Sequence, residues 1–314
     1  MRAIAEVRFG GPITLMDLPA PEIGTGEVLI RVRAAGVNPF DWKVADGALE
    51  GERKHRFPLI LGFDAAGVVE RVGAEVTGLA EGDEVYGYLF KPVVGGGAYA
   101  DYVSAPASIV AKKPKSVGFA EAAALPTPGL TAMDLVDAAD PREGETVLVV
   151  GATGGVGSYA VQLAARRGTR VIATARKANA AYVRELGASE TIDHTTKDLV
   201  GSVLVAHPDG IEAVVDVASD REALGHIAGL VKRGGRIASS MYAADADSLA
   251  ERGVHVRNIG MQPDARRLEE LSRLVDAGEI SVRLERAFAL EEASEALEES
   301  RTGHVRGKLV LLVD

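Results

Sequence analysis

The sequence predicts an α/β protein of two domains, a small and mostly antiparallel β-barrel joined to a doubly wound parallel sheet. Three observations carry that reading. Up to about residue 115 short β-rich runs are separated by Gly and Pro, from residue 146 onward strand and helix patterns alternate, and the first strand of the alternating region ends in a glycine-rich turn. With 314 residues the chain exceeds one comfortable core, and 47% hydrophobic with 25% charged residues is the make-up of an ordinary globular protein.

Taken in order, residues 1–7 alternate like a strand and carry an early acid where an export signal would be basic and then apolar. No apolar run approaches the roughly eighteen residues that cross a bilayer, so a cytoplasmic protein is expected. Runs 27–37, 65–72, 83–89 and 98–103 are predicted strands of the barrel. From Phe119 the texture changes to Ala-rich helix, which Pro126 and Pro128 are expected to break before Gly129-Leu130-Thr131-Ala132 starts a further helix toward Ala139. The domains are drawn at 1–118, 119–261 and 262–314, the last returning to the first.

Thr146-Val147-Leu148-Val149-Val150 is a continuous β-branched and aliphatic run, the pattern of a strand buried on both faces. Gly151-Ala152-Thr153-Gly154-Gly155-Val156-Gly157 follows, then an Ala-rich helix from about Ser158, then a second strand at 170–175. Residues without a Cβ let backbone amides close on a diphosphate, and the helix aims its free N–H groups and positive dipole end at that charge. The βαβ context makes this a dinucleotide site of the Rossmann kind, although Ala152 stands at the first glycine of the usual triplet and only Gly154 and Gly157 keep the other two. An NAD site would put an acid about twenty residues past the glycines; here Thr174-Ala175-Arg176-Lys177 offers two cations, which favours NADPH through charge-assisted bonds to a 2′-phosphate. The plainer alternative is a solvated loop pair.

Further strands are predicted at 190–194, 211–217, 236–241 and 254–259, the last as a sheet edge, with helices near 179–186, 264–277 and 290–300 and a final strand at 308–313. Ala218 and Ser240 follow strands of the parallel sheet and so sit at the carboxyl edge where ligands bind. The formal charge of −10 excludes nucleic acid and anionic membranes as expected partners. Cys is absent, which removes disulfides, thiolate nucleophiles and thiolate metal sites, and none of the six His lies in a ligand-spaced pattern.

Four blocks carry a family likeness: Gly36-Val37-Asn38-Pro39-Phe40-Asp41-Trp42-Lys43, Leu61-Gly62-Phe63-Asp64-Ala65-Ala66-Gly67-Val68-Val69, Gly97-Ala98-Tyr99-Ala100-Asp101-Tyr102-Val103 and Gly303-His304-Val305-Arg306-Gly307-Lys308-Leu309. In their order and spacing the chain resembles the medium-chain dehydrogenase/reductase superfamily, and within it the zinc-free quinone oxidoreductase branch. The resemblance implies a GroES-like barrel made of the N-terminal third and the C-terminal segment, a Rossmann domain inserted between them, an active site in the cleft, and a homodimer. Zinc alcohol dehydrogenases of the superfamily carry Cys where this chain has Asn38 and Gly-His-Glu where it has Gly62-Phe63-Asp64, so no metal is expected.

The activity so implied is NADPH-dependent hydride transfer to quinones or other α,β-unsaturated carbonyls. An enoyl or alkenal reductase is a second reading, and a cofactor-binding structural or redox-sensor protein a third. By the family motif, Asn38 is the first candidate for a substrate or nicotinamide contact and Thr131 for a nicotinamide contact; local chemistry equally makes Asn38 the N-cap of a helix begun by Pro39. Lys43 sits where some quinone reductases carry Tyr and could donate a proton, against the plainer reading of a solvated helical lysine. Gly154, Gly155 and Val156 are expected over the diphosphate, Thr174, Arg176 and Lys177 at the adenosine phosphate, and His194 near the adenosine ribose. Lys308 is a candidate cofactor contact whose safer reading is a solvated strand end. Phe63, Tyr86 and Tyr88 could line a quinone pocket or be plain core.

Overall fold

A computed structural model describes residues 1–196 and 198–313. The chain forms two compact units: Met1–Leu130 with Gln262–Gly278 and Val282–Asp314, and Thr131–Met261 with Glu279–Ser281. In chain order the first unit opens with β1 (Arg2–Glu6), β2 (Thr14–Asp17), β3 (Glu27–Val37), α1 (Pro39–Ala45), β4 (Lys54–Ile60), β5 (Asp64–Val72), β6 (Glu84–Tyr88), β7 (Val93–Gly96), β8 (Tyr102–Pro106), β9 (Val110–Lys112) and α2 (Phe119–Ala123). Helix α3 (Pro126–Ala139) carries the boundary, and the second unit follows as β10 (Thr146–Val150), α4 (Gly155–Arg166), β11 (Arg170–Thr174), α5 (Ala180–Glu185), β12 (Glu190–Ile192), α6 (Leu199–Ala206), β13 (Ile211–Asp216), α7 (Arg221–Ile227), β14 (Val231–Ser239), α8 (Ala246–Glu251) and β15 (His255–Asn258). The return comprises α9 (Ala265–Asp276), β16 (Leu284–Ala289), α10 (Ala293–Arg301) and β17 (Lys308–Leu312).

The first unit contains a sheet of order β2-β1-β4-β7 and another of order β16-β17-β3-β5-β6-β9, with β8 also on β3. Most pairings are antiparallel; β4 with β7 and β16 with β17 are parallel. Strand β3 is the spine. Along it Ile30, Val32 and Ala34 are buried while the intervening Arg31 and Arg33 are exposed, the period-two signature of a sheet with one wet face. The last strand crosses back onto it: β17 pairs antiparallel with β3, Leu309 opposite Val37 and Leu312 opposite Ala34. That register sets Lys308 beside the end of β3, where α1 begins.

The second unit is an all-parallel six-stranded sheet of order β12-β11-β10-β13-β14-β15. Its central strands β10, β11 and β13 are buried almost throughout, since helices cover the hydrophobic runs, while the outer β12 and β15 are partly exposed. The direction of winding reverses between β10 and β13, and the crevice at the carboxyl ends of those two strands is where such sheets take ligands. Strand β15 lies at the outer edge, as the sequence predicts.

Several boundaries differ from expectation; β14 begins at Val231 rather than 236 and β12 ends at Ile192 rather than 194. Helix α3 starts at Pro126 rather than at Gly129: prolines in a first turn remove no intrahelical bond, because those N–H groups have no partner in any helix. Helix α4 starts at Gly155, inside the glycine run. The strand expected at 98–103 runs instead over Tyr102–Pro106, and Ala100 makes only an isolated bridge with Ala3.

Candidate active site

In the second unit β10 ends at Val150 and the backbone turns at Gly151 with φ of +78°, a conformation that disfavours a Cβ. A Cβ on Gly157 would stand 2.1 Å from the Gly151 carbonyl oxygen and 2.7 Å from the Ala152 Cα, so only glycine lets α4 pack this close to the strand end. Above Gly154 the space is open: the nearest atom to a Cβ there is 3.7 Å away. Helix α4 has no side-chain cap, so the N–H groups of its first turn are left for a ligand, with the dipole adding partial positive charge. The residues present therefore fit a nucleotide diphosphate.

Beside that turn, the Thr174 hydroxyl accepts a hydrogen bond from the Gly151 N–H at 2.9 Å. Thr174 is buried and holds the turn in place. Arg176 and Lys177 are exposed and make no side-chain hydrogen bond or ion pair with the described residues. Asp193 accepts from the Lys177 backbone N–H at 2.9 Å and from the Thr195 hydroxyl at 2.6 Å, bonds that hold its carboxyl below the usual range, and His194 is exposed in the same turn. Ala218 and Ser240 follow β13 and β14, tied to buried Asp216: its carboxylate accepts from the Ser219 N–H at 3.0 Å and the Ser239 hydroxyl at 2.8 Å, and its carbonyl from the Ser240 N–H at 3.1 Å.

The first unit contains a buried polar network at the junction of β3, α1, β5 and β17. Lys308, 4% exposed, donates to the Val37 carbonyl at 2.5 Å and to the Asn38 side-chain oxygen at 2.6 Å. The Asn38 amide nitrogen donates to Asp64 at 2.9 Å, and the other Asp64 oxygen accepts from the Thr127 hydroxyl at 2.7 Å and N–H at 3.0 Å. Asp41 accepts from the Asn38 N–H at 2.6 Å, the Tyr99 hydroxyl at 2.8 Å and the Phe63 N–H at 3.2 Å. Burial raises the Asp41 carboxyl to about 7, against those bonds, and raises Asp64 to about 6, against Lys308. Burial pulls the Lys308 ammonium down, opposed by Asp64 and Asp41. Two carboxyls thus share one cation, and near neutrality one of them takes up a proton.

Next to the network stands an aromatic group. Phe40 and Phe63 lie 4.9 Å apart between ring centres, and Phe90 lies 5.9 Å from Tyr88, nearly parallel to it, and 5.8 Å from Phe63. Tyr86 is not part of that wall: it is fully buried, donating to the Leu268 carbonyl at 2.6 Å and accepting from Ser272 at 3.0 Å.

The family described as alcohol dehydrogenase GroES-like domain matches residues 24–115, and the zinc-binding dehydrogenase family matches residues 186–311. A chloroplast envelope quinone oxidoreductase homolog of Arabidopsis thaliana is 32% identical over 99% of this chain and 98% of its own length. An NADPH-dependent alkenal/one oxidoreductase of the same plant is 30% identical over 99% of this chain and 79% of its own. The solved quinone oxidoreductase of Coxiella burnetii superposes with a TM-score of 0.89 at 33% identity, covering 100% of this chain and 99% of that one. This chain belongs to the quinone oxidoreductase branch of the medium-chain dehydrogenase/reductase superfamily.

Within that superfamily the zinc question is decided by donors. No group of three or more His, Asp or Glu among the described residues could hold a metal ion, and Cys is absent. Asn38 is spent on Lys308 and Asp64, and an ammonium already occupies the place of the cation. A zinc ion does not fit.

Of the candidates in this oxidoreductase chain, the structure joins Asn38 to Lys308 and clusters Gly154, Gly155, Val156 and Thr174. Arg176, Lys177 and His194 share neighbouring turns. Thr131 is buried on α3. Lys43 lies outside the network, exposed, its ammonium 5.6 Å from the centre of the Trp42 ring. Lys308 is not a solvated strand end, and Asn38 is the N-cap residue of α1 as expected, with its side-chain oxygen on Lys308 and the Asp41 carboxylate accepting from its N–H. Asp41, Asp64, Tyr99 and Thr127 were not among the candidates. The Asn38-x-x-Asp41 spacing is a reciprocal-cap pattern and marked Asp41; Asp64 and Thr127 have no local signal, being joined only by the fold.

A carboxyl raised by burial stabilises the folded state fully below its unfolded value and loses that contribution as pH rises through its folded value. For Asp41 the window runs from about 4 to about 7 and for Asp64 from about 4 to about 6, and for Glu6, also raised to about 7 by burial, it starts slightly higher. Asp41→Asn is expected to flatten the fall of stability across that window by up to about 1.4 kcal/mol per pH unit, measured by urea unfolding from pH 4 to 8. An unchanged slope would refute the assignment.

Proposed function

We propose that the protein is an NADPH-dependent reductase of quinones and related α,β-unsaturated carbonyls that works without zinc. The observation that carries this reading is the Asn38 amide backed by a buried ammonium: Lys308 draws electron density from the amide oxygen and so strengthens the amide N–H groups as donors. One of those N–H groups is held by Asp64, which leaves the second for the oxygen of an acceptor. A fixed positive charge behind that donor stabilises negative charge developing on the acceptor oxygen, in surroundings that the aromatic group keeps poor in water. The bound nucleotide supplies the hydride. Already electron-poor acceptors need no stronger electrophile than this, whereas a simple alcohol would need a Lewis acid to lose its proton.

The preference for the phosphorylated nucleotide rests on Arg176 and Lys177, exposed beyond β11, whose side chains have no hydrogen bond or ion pair among the described residues. The Arabidopsis relative named NADPH-dependent supports it. That relative also keeps a dedicated alkenal reductase as the second reading; turnover of a 2-alkenal far above that of a small quinone would favour it. Strand β15 presents an unpaired edge, and its pairing with a second copy of the chain is our reading of the assembly.

Lys308→Met is expected to lower kcat with a small quinone by roughly tenfold to a hundredfold, the equivalent of one hydrogen bond to a charged group, with little change in nucleotide affinity. Wild-type kcat in the variant would remove the basis of the mechanism. Arg176→Asp should cut the ratio of kcat/KM for NADPH over NADH by roughly tenfold or more; no change retires Arg176 as the phosphate contact. Sedimentation should give twice the chain mass, and a single-chain mass at micromolar concentration would count against the β15 pairing.

A further inference from the structure

The first unit has a second cavity that none of the network residues lines. It encloses about 750 Å³, and its walls include Leu18, Pro58, Ile60, Val93 and Val103. That volume suits a small organic molecule, and mostly apolar walls with a few polar groups are what such sites have. Two cations enter it, Lys91 and Arg56.

Lys91 is half-buried; among the described residues its ammonium donates one hydrogen bond, to the Ser104 carbonyl at 2.8 Å, leaving two donors. Arg56, exposed, comes near the same point: a Cβ on Gly96 would be 3.3 Å from the Lys91 Nζ and 3.8 Å from an Arg56 Nη. The bare side of Gly96 therefore faces a niche flanked by both charges. Among the described residues no carboxylate forms an ion pair with either cation, and the Glu27 carboxylate that also lines the cavity accepts from the Gly24 N–H at 2.9 Å. Glu22 is exposed where it lines the same cavity. The charged side chains lining the cavity are thus two cations, Lys91 and the exposed Arg56, and two carboxylates, Glu22 and Glu27, and it is at Gly96 that the two cations come together without a carboxylate in an ion pair. Burial lowers the Lys91 ammonium to about 8, with Glu27 opposing and Arg56 adding to the shift, as expected of a cation short of a counter-charge.

We propose that this cavity binds a small amphipathic monocarboxylate, its carboxylate between Lys91 and Arg56 over Gly96 and its apolar chain against Ile60 and Val103. The two cations at Gly96, neither in an ion pair among the described residues, favour an anionic head group there, and the apolar walls favour a hydrocarbon chain over inorganic phosphate. The site is separate from the proposed reductase centre and does not depend on it.

The test is calorimetric titration of the whole protein with octanoate, octanol and inorganic phosphate at pH 7. Octanoate is expected to bind, and octanol and phosphate to bind at least tenfold more weakly. Lys91→Met should weaken octanoate at least tenfold through loss of a charge-assisted bond. Gly96→Val, which fills the niche while its neighbours there are flexible side-chain ends, should do the same, with thermal unfolding close to wild type. No binding of octanoate by the wild type at millimolar concentration, equal binding of octanol or phosphate, or unchanged octanoate affinity in both variants overturns the proposal.

Discussion

The buried ammonium of Lys308 depends on a strand pairing that joins the two ends of the chain. An isolated cation in a protein interior is unstable unless polar groups replace its water. Here the register of β17 on β3 brings the Val37 carbonyl and the Asn38 amide oxygen to it, 271 and 270 residues away in sequence. Asn38 then orients Asp64, Asp64 engages Thr127 before α3 runs on, and Asp41 holds both the start of α1 and Tyr99. Every member has a partner, the condition under which a buried polar network stiffens a site.

Charge explains why this network suits an organic acceptor better than a metal. Two carboxyls and one ammonium are close to balance once one carboxyl is protonated, and a divalent ion would have to displace the ammonium or lie beside it at high electrostatic cost. With the cation supplied by a side chain, the acceptor contact we propose is the Asn38 amide N–H rather than an open coordination position. The neighbouring rings of Phe40, Phe63, Tyr88 and Phe90 pack on one another, with Phe63 and Tyr88 buried.

The second unit works by leaving groups unsatisfied. The first turn of α4 has no side-chain cap, Gly154 is uncrowded, and the Arg176 and Lys177 side chains have no hydrogen bond or ion pair among the described residues. Beneath them the strand ends are tightly held, by Thr174 under Gly151 and by Asp216 across β13 and β14. Rigid support below and free donors above is the arrangement that binds an anion without rearrangement.

What could be read directly was whatever has a short period or a local turn. The parallel sheet, the glycine turn and the sheet edge at β15 follow from apolar runs and residues without a Cβ, because those signals lie within a dozen residues of one another. The strand positions of β3, β5, β6 and β17 were legible for the same reason, and so was the absence of thiolate ligands. Burial of Lys308, the diversion of the Asn38 side chain from its own helix, the parts played by Asp64 and Thr127, and the cavity around Lys91 and Gly96 were decided only by the fold. Each arises where segments far apart in the chain are set side by side, and the desolvation that controls their charge exists only after that packing is complete.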